Sequence, residues 1–417
     1  METKEIIFEA DFPSAEYQDR YRKAQSKMEE EGIDALLLSM GIHLRYLTGF
    51  RSPFWGDAPG SPLALISKDT NHEPVLILSR YSEYTSESSW IEDIRYIQSD
   101  RQAPFNDPLA LAVDTLKSWG LTEGVIGMDI SSSVRDNMPF TAFESIKLGL
   151  PNARIVDTNS VLTPLRQIKS AAEIEVLKNA CETSMAAWKA GLEALSEGMS
   201  EKELAAVIGS TILEIGEEAG LYRPWIIYMA SGSDLSVWCN VLPGNYRVQK
   251  GDFVLIDGGC TRKGYHCDFI RWGVIGEPSR VDQYLLDTAV EAITACKETI
   301  KPGVSCGEIH AIGKKVYEAA NIDHDDWQVW SPAGHGIGLE VHEEPFLSPG
   351  NEIILQPGMV ITIEPLIVKT KVGRFALDPY NLYRGRAPDM MVVEDNILVT
   401  ENGYELLTPL QPYLWIA

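Results

Sequence analysis

Gly251-Asp252-Phe253-Val254-Leu255-Ile256-Asp257 and Gly358-Met359-Val360-Ile361-Thr362-Ile363-Glu364 repeat one pattern, 107 positions apart. Each reads as a tight turn, a buried strand and a carboxylate at the strand's tip. A second acid follows each copy: Asp268 in Tyr265-His266-Cys267-Asp268-Phe269-Ile270-Arg271, and Glu394 in Met391-Val392-Val393-Glu394-Asp395-Asn396-Ile397. Between the copies lies His335, in the glycine-rich turn Gly334-His335-Gly336-Ile337-Gly338. Burying such acids unpaired costs several kcal/mol each. A chain can fold around four of them only if something positive sits among them, and metal is the natural candidate.

The same period appears in the helices. Ser200 with Glu203, and Ser305 with Glu308, both read as capping boxes at helix starts, offset by 105. Two agreeing offsets predict one helix–loop–hairpin unit used twice, about an approximate two-fold axis. Asp257 and Asp268 stand 11 residues apart, which suits two strands joined by a turn through Thr261 to Gly264. Both carboxylates then share a face if the pleat register allows it.

Upstream, a helix is expected over 17–31 and short apolar strands over 35–38, 47–50, 63–66, 74–78, 124–129 and 153–157. Strands between helices imply an α/β layer domain. None ends in a cluster of catalytic residue types, so this part reads as a scaffold or substrate-gating domain. A long helix is expected over 171–195, and the boundary is placed just before it, giving domains 1–165 and 166–417. At 417 residues the chain exceeds what one core normally serves, in keeping with two domains.

Charge narrows the partners. With 36 basic against 60 acidic residues the net charge is −24, which opposes binding to nucleic acid or anionic membrane. The N-terminus lacks a signal-peptide pattern, and no run of about 18 apolar residues is present, so a cytoplasmic location is expected. The six cysteines show no CxxC pairing and read as reduced, buried residues. Cys260 and Cys267 flank the first acid hairpin, but thiolates select softer sites than carboxylates do.

Four carboxylates and an imidazole exceed what one tetrahedral zinc needs. They suit two divalent cations sharing bridging carboxylates, about 3.5–4 Å apart. Hard donors favour Mn²⁺, with Fe²⁺, Co²⁺ and Zn²⁺ as alternatives.

The order of these motifs resembles the pita-bread metallopeptidases, which group methionine aminopeptidase, Xaa-Pro dipeptidase and aminopeptidase, and creatinase. The resemblance rests on Asp257-Gly258-Gly259, Tyr265-x-x-Asp268-x-x-Arg271, Gly334-His335-Gly336-Ile337-Gly338, His342-Glu343-x-Pro345, Glu364-Pro365 and Glu394-Asp395-x-x-Leu398-Val399-Thr400. Lys169-Ser170-Ala171-Ala172-Glu173-Ile174 is similar to this family's domain junction. The fold it implies is α/β (α+β), with a creatinase/prolidase-like N-terminal domain and a duplicated pita-bread C-terminal domain. It implies Asp257, Asp268, His335, Glu364 and Glu394 as metal ligands, with Asp268 and Glu394 bridging. Glu364 would also hold the nucleophilic water and accept its proton. His342 would steady the oxyanion or leaving group. A homodimer is likewise implied.

Two positions depart from that pattern. The peptidases carry a substrate-binding histidine where this chain has Asn240, next to Cys239 and near Trp238. The proline peptidases carry an arginine two before the last metal glutamate, where this chain has Val392. A longer segment, 367–388, rich in Lys, Arg and Tyr, separates the two glutamates and reads as a solvated loop. Trp225, Trp238, Trp327 and Trp330 fit core or rim packing, or an aromatic wall for an ammonium or sulfonium group. His266 reads as a hairpin surface residue.

The leading expectation is therefore a metal-dependent hydrolase cleaving an amide C–N bond in a short peptide, Xaa-Pro dipeptidase- or aminopeptidase-like. The alternative keeps the fold and acts on a small molecule, as creatinase, ectoine hydrolase or dimethylsulfoniopropionate lyase does. A non-catalytic binding protein is a third reading, but such proteins generally lose ligands and this chain fills all five positions.

Overall fold

A computed structural model describes residues 10–52, 62–97, 107–130, 138–215, 223–231, 242–322, 327–369, 390–409 and 412–417. The chain divides into two compact units, Met1–Arg166 and Gln167–Ala417.

The first unit is built on a six-stranded sheet, in the order Asp93–Ile97, Val75–Ser79, Leu63–Ser67, Ala35–Leu38, Val125–Met128, Arg154–Asp157. Leu63–Ser67 pairs antiparallel with both its neighbours, and the remaining pairs are parallel. Strands such as Ala35-Leu36-Leu37-Leu38 are buried on both faces, which is why they read as continuous apolar runs. Leu37, Leu65 and Ile77 share one core with Val113 and Leu116 of the helix Pro108–Ser118.

One expected strand is a helix. The apolar run at 47–50 closes the helix Gly41–Thr48, which stops where Gly49 takes φ 73°. His43, Leu44, Leu47 and Thr48 form its buried face at helical spacing. Just ahead of this helix the chain is anchored by Asp129, the residue after the strand Val125–Met128: its Oδ2 accepts from the backbone N–H of Ser39 at 2.7 Å and of Met40 at 2.8 Å. The other oxygen of Asp129 meets His43 Nδ1 and Thr158 Oγ1, both at 2.8 Å. This buried group holds the helix and the sheet together.

The second unit runs twice through helix, helix, sheet. Helices Ala171–Ala194 and Glu201–Ile215 precede the first hairpin, and Arg280–Thr299 and Cys306–Ala319 precede the second. Both expected capping boxes form: Ser200 Oγ accepts from Glu203 N–H at 3.3 Å while Glu203 Oε2 accepts from Ser200 N–H at 2.7 Å. Ser305 and Glu308 repeat the exchange. The first sheet pairs Arg223–Ser231 with Phe253–Arg262 and that strand with Phe269–Val274, all antiparallel. The second pairs Val360–Ile363 with Asp395–Thr400, and with His335–Gly336 on its other edge. One continuous core joins Trp272, Ile293, Ile361, Val392 and Ile397 beneath both.

Candidate metal centre

The two acid strands differ at their ends. Glu364 follows Val360–Ile363, at a strand tip as expected. Asp257 instead sits mid-strand in Phe253–Arg262, opposite Ile270 on one side and Tyr228 on the other. The strand continues because glycine lets it: a Cβ on Gly259 would strike the Cys267 carbonyl. The hairpin then turns at Lys263 and Gly264, both at positive φ (47° and 77°).

These elements bring the donors together. Asp257, Asp268 and Glu394 form one group of donor atoms mutually within 4.8 Å; His335, Glu364 and Glu394 form a second; Asp268, His335 and His342 form a third. The groups overlap, so six residues from four separate segments surround one small volume. Among the described residues no Lys or Arg ion-pairs with any of the four acids.

His335 is set by its backbone. Gly334 reaches φ 145°, where a Cβ would collide with the Thr362 carbonyl, and His335 N–H donates to Thr362 Oγ1 at 3.2 Å. Its Nδ1 lies 3.0 Å from the Gly336 carbonyl, which can only accept, so Nδ1 carries the proton. Nε2 is left with its lone pair facing the acids, 3.4 Å from Glu364 Oε1. Burial, then the neighbouring His342, push the His335 pKa down to about 3, so the ring is neutral, as a metal ligand must be. The His342 ring is exposed, with its centroid 4.3 Å from that of His335.

Burial raises all four acids, and at Asp268, Glu364 and Glu394 neighbouring acids add to it. Desolvation, then Asp257, lift Glu364 to about 8, and desolvation lifts Asp257 to about 6. Asp268 and Glu394 are raised well above the usual carboxylate range, chiefly by desolvation and then by neighbouring acids. Asp268 Oδ1 and Glu394 Oε1 are buried without any hydrogen-bond partner. Orphaned oxygens inside a cluster of like charge are what a divalent cation satisfies, and oxygen donors with one imidazole are the hard set such ions take. The residues fit the group.

Other expectations fall in varied places. Val392 is buried in the core, its carbonyl accepting from Trp272 Nε1 at 2.6 Å. Trp330 is partly buried against the same core. Asn240, Trp238 and Cys239, the side chains of Trp225 and Trp327, and residues 370–388 of the long segment lie outside the described residues. Cys260 and Cys267 turn toward the helix Ala171–Ala194: Cys260 Sγ meets the Ala180 carbonyl, and Cys267 Sγ meets Ser184 Oγ at 3.1 Å. His266 is more than a surface residue. Its backbone N–H donates to the Gly338 carbonyl at 2.8 Å and Nδ1 lies 3.2 Å from the same oxygen, tying the first hairpin to the His335 loop. Nothing local in the sequence signals that tie, which spans 72 positions.

A buried cluster of hard donors, repeated across two hairpins, is the signature of a metal-dependent hydrolase. The model for metallopeptidase family M24 matches residues 175–401, and that for the creatinase/prolidase N-terminal domain matches residues 20–168. The chain belongs to metallopeptidase family M24, has the pita-bread fold of that family, and is a metal-dependent enzyme using divalent ions. It is 27% identical over 392 residues to an Xaa-Pro dipeptidase of Pyrococcus horikoshii, covering 94% of this chain and 97% of that one. Among solved structures it is similar to the prolidase of Pyrococcus horikoshii OT3 (26% identity, TM-score 0.74, covering 94% and 99% of the two chains). It is also similar to dipeptidase PepE of Mycobacterium ulcerans (26% identity, TM-score 0.76, covering 97% and 98%). No helix among the described residues is long and apolar enough to cross a membrane.

Proposed function

We propose that the protein is an Xaa-Pro dipeptidase or aminopeptidase working through two divalent cations, Mn²⁺ first among the candidates. Asp257, Asp268, His335, Glu364 and Glu394 are its ligands in this reading, with Asp268 and Glu394 shared. The observation that carries it is the convergence of these donors around two orphaned carboxylate oxygens. When bound, the cations polarise a substrate carbonyl and acidify water.

The chain's own groups then divide the work. Glu364, whose side chain keeps 21% of its surface open, takes the proton from the attacking water. The C–O bond forms, the C–N bond breaks, and Glu364 returns the proton to the leaving amine. His342, exposed beside His335, hydrogen-bonds the oxyanion or the departing nitrogen. Asn240 and Trp238 contact the substrate in this reading. Hydrolysis of Ala-Pro and Gly-Pro by the Mn²⁺-loaded protein tests it, and failure on every imidodipeptide would reject it.

A second reading is supported by Val392, an apolar core residue where proline peptidases carry arginine. Loss of that charge favours a small amide, betaine or sulfonium substrate on the same metal centre. Turnover of such compounds without peptide hydrolysis would establish it. Domains at 1–165 and 166–417, a homodimer and a cytoplasmic location complete the proposal; light scattering tests the dimer.

A further inference from the structure

Asp268 and Glu394 hold equivalent places in the two hairpins. Asp268 immediately precedes the strand Phe269–Val274, and Glu394 immediately precedes Asp395–Thr400. At both points the chain lies outside any strand, so the acids' backbone groups need other partners. Those partners come from the opposite hairpin.

Asn396, two residues beyond Glu394, turns both ends of its side-chain amide to Asp268, while its Oδ1 also meets Cys181 Sγ at 3.6 Å. Its Oδ1 accepts from the Asp268 backbone N–H at 3.2 Å, and its Nδ2 donates to the Asp268 carbonyl. Arg271, three residues beyond Asp268, returns the contact: its Nη1 donates to the Glu394 carbonyl at 2.8 Å. Each clamp is itself braced. Asn396 N–H donates to Thr408 Oγ1 at 2.8 Å, and Arg271 Nη2 pairs with Asp395 Oδ1 at 2.9 Å. The other oxygen of Asp395 receives Lys297 Nζ at 2.9 Å and Tyr413 OH. Asn396 and Arg271 are both 1% exposed. The main chains of the two acids are thus tied crosswise, while Asp268 Oδ1 and Glu394 Oε1 are left without partners.

We propose that Asn396 and Arg271 are reciprocal positioning residues of the metal centre, each fixing the shared acid of the opposite hairpin before any cation arrives. The proposal rests on the reading of Asp268 and Glu394 as ligands. It makes the two halves interdependent: damage at Asn396, beside Glu394, is felt at Asp268. Outer contacts that orient ligands typically govern metal affinity by about 10- to 100-fold.

Asn396→Asp tests it. The substitution keeps size and the acceptor for Asp268 N–H, but turns an oxygen toward the Asp268 carbonyl in place of the NH₂ donor. Mn²⁺ alone is titrated into metal-free protein by calorimetry, with kcat followed against Mn²⁺ concentration. The expected result is a roughly 10- to 100-fold loss of Mn²⁺ affinity, with kcat restored when Mn²⁺ is raised to match. A variant with lowered thermal stability but wild-type Mn²⁺ affinity would overturn the proposal, because a purely structural contact behaves that way. Arg271→Lys, which keeps the charge beside Asp395 and loses the reach to Glu394, decides the matter if Asn396→Asp does not fold; the same affinity loss is expected. Wild-type protein that binds no Mn²⁺, Fe²⁺, Co²⁺ or Zn²⁺ would instead overturn the ligand reading itself, and the proposal with it.

Discussion

Lys169 Nζ lies 2.7 Å from Glu343 Oε1, with 1% and 7% of the two side chains exposed. Glu343 directly follows His342, and the Lys169 backbone N–H donates at 2.9 Å to the Gly358 carbonyl, in the turn that starts the second acid strand. Lys169 therefore touches the segments that carry both His342 and Glu364. Gly338 lies so close that a Cβ there would meet the Glu343 carboxylate at 2.7 Å.

Removing the ammonium leaves a carboxylate in a dry setting. Lys169→Met is expected to cost about 3–5 kcal/mol of stability, measured by denaturant unfolding. The double variant Lys169→Met/Glu343→Leu is expected to recover most of that loss, since an apolar pair of similar volume replaces the ion pair. A cost below about 1 kcal/mol for the single variant would show that the pair is not effectively buried.

Under the proposed function, Glu364→Gln would remove the proton acceptor and one ligand while conserving shape. Turnover of Ala-Pro is expected to fall by at least about 10²- to 10⁴-fold, with the far-ultraviolet circular dichroism unchanged. Wild-type turnover in this variant would take Glu364 out of the mechanism.

Stability of the metal-free protein carries a pH signature. Folding raises Glu364 from the usual 4.5 to about 8, so the protonated acid favours the fold. That stability is fully present below 4.5 and is lost as pH rises through about 8. His335, lowered from 6.5 to about 3, acts oppositely: its contribution is present above 6.5 and lost as pH falls toward 3. Between 6.5 and about 8 the Glu364 contribution is being lost while that of His335 stays fully present, so the melting temperature without metal is expected to fall across that window. Saturating Mn²⁺ is expected to reverse the slope, because the ion binds the deprotonated acids. Thermal scans in both conditions check this, and parallel slopes would refute it.

Gly334→Ala is expected to weaken Mn²⁺ binding and to cost about 1–3 kcal/mol, since the added Cβ drives His335 off its place against Thr362. Gly350→Ala is the control. It also sits at positive φ, 72°, but meets nothing within 4 Å, so about 1 kcal/mol of stability is expected to go with Mn²⁺ affinity unchanged. Calorimetry of both variants separates local strain from damage to the site.

Much of this was legible from residue order, because the acids stand beside strong local signals. Turn glycines, β-branched runs and paired capping boxes announce both hairpins without knowledge of their contacts. Residues 47–50 mislead because the short run Leu47-Thr48-Gly49-Phe50 fits a strand or a helix end alike, and the chain entering the helix is anchored by Asp129, some 90 residues away. Asp257 reads as a strand tip in the sequence because no local cue shows that Gly258 and Gly259 continue the ladder. Asn396 and Arg271 stayed silent for a similar reason: their partners lie 128 and 123 residues away, and an amide or guanidinium in a strand looks like any polar residue.

The central claim is that Asp257, Asp268, His335, Glu364 and Glu394 together hold two ions through shared acids. Calorimetric titration of the metal-free protein with Mn²⁺ tests it most directly, alongside Asp268→Asn and Glu394→Gln. Two Mn²⁺ per chain are expected in the wild type, and a loss at both sites in either variant if each acid is shared as proposed. A single Mn²⁺ per wild-type chain, or two sites left intact in either variant, would contradict it.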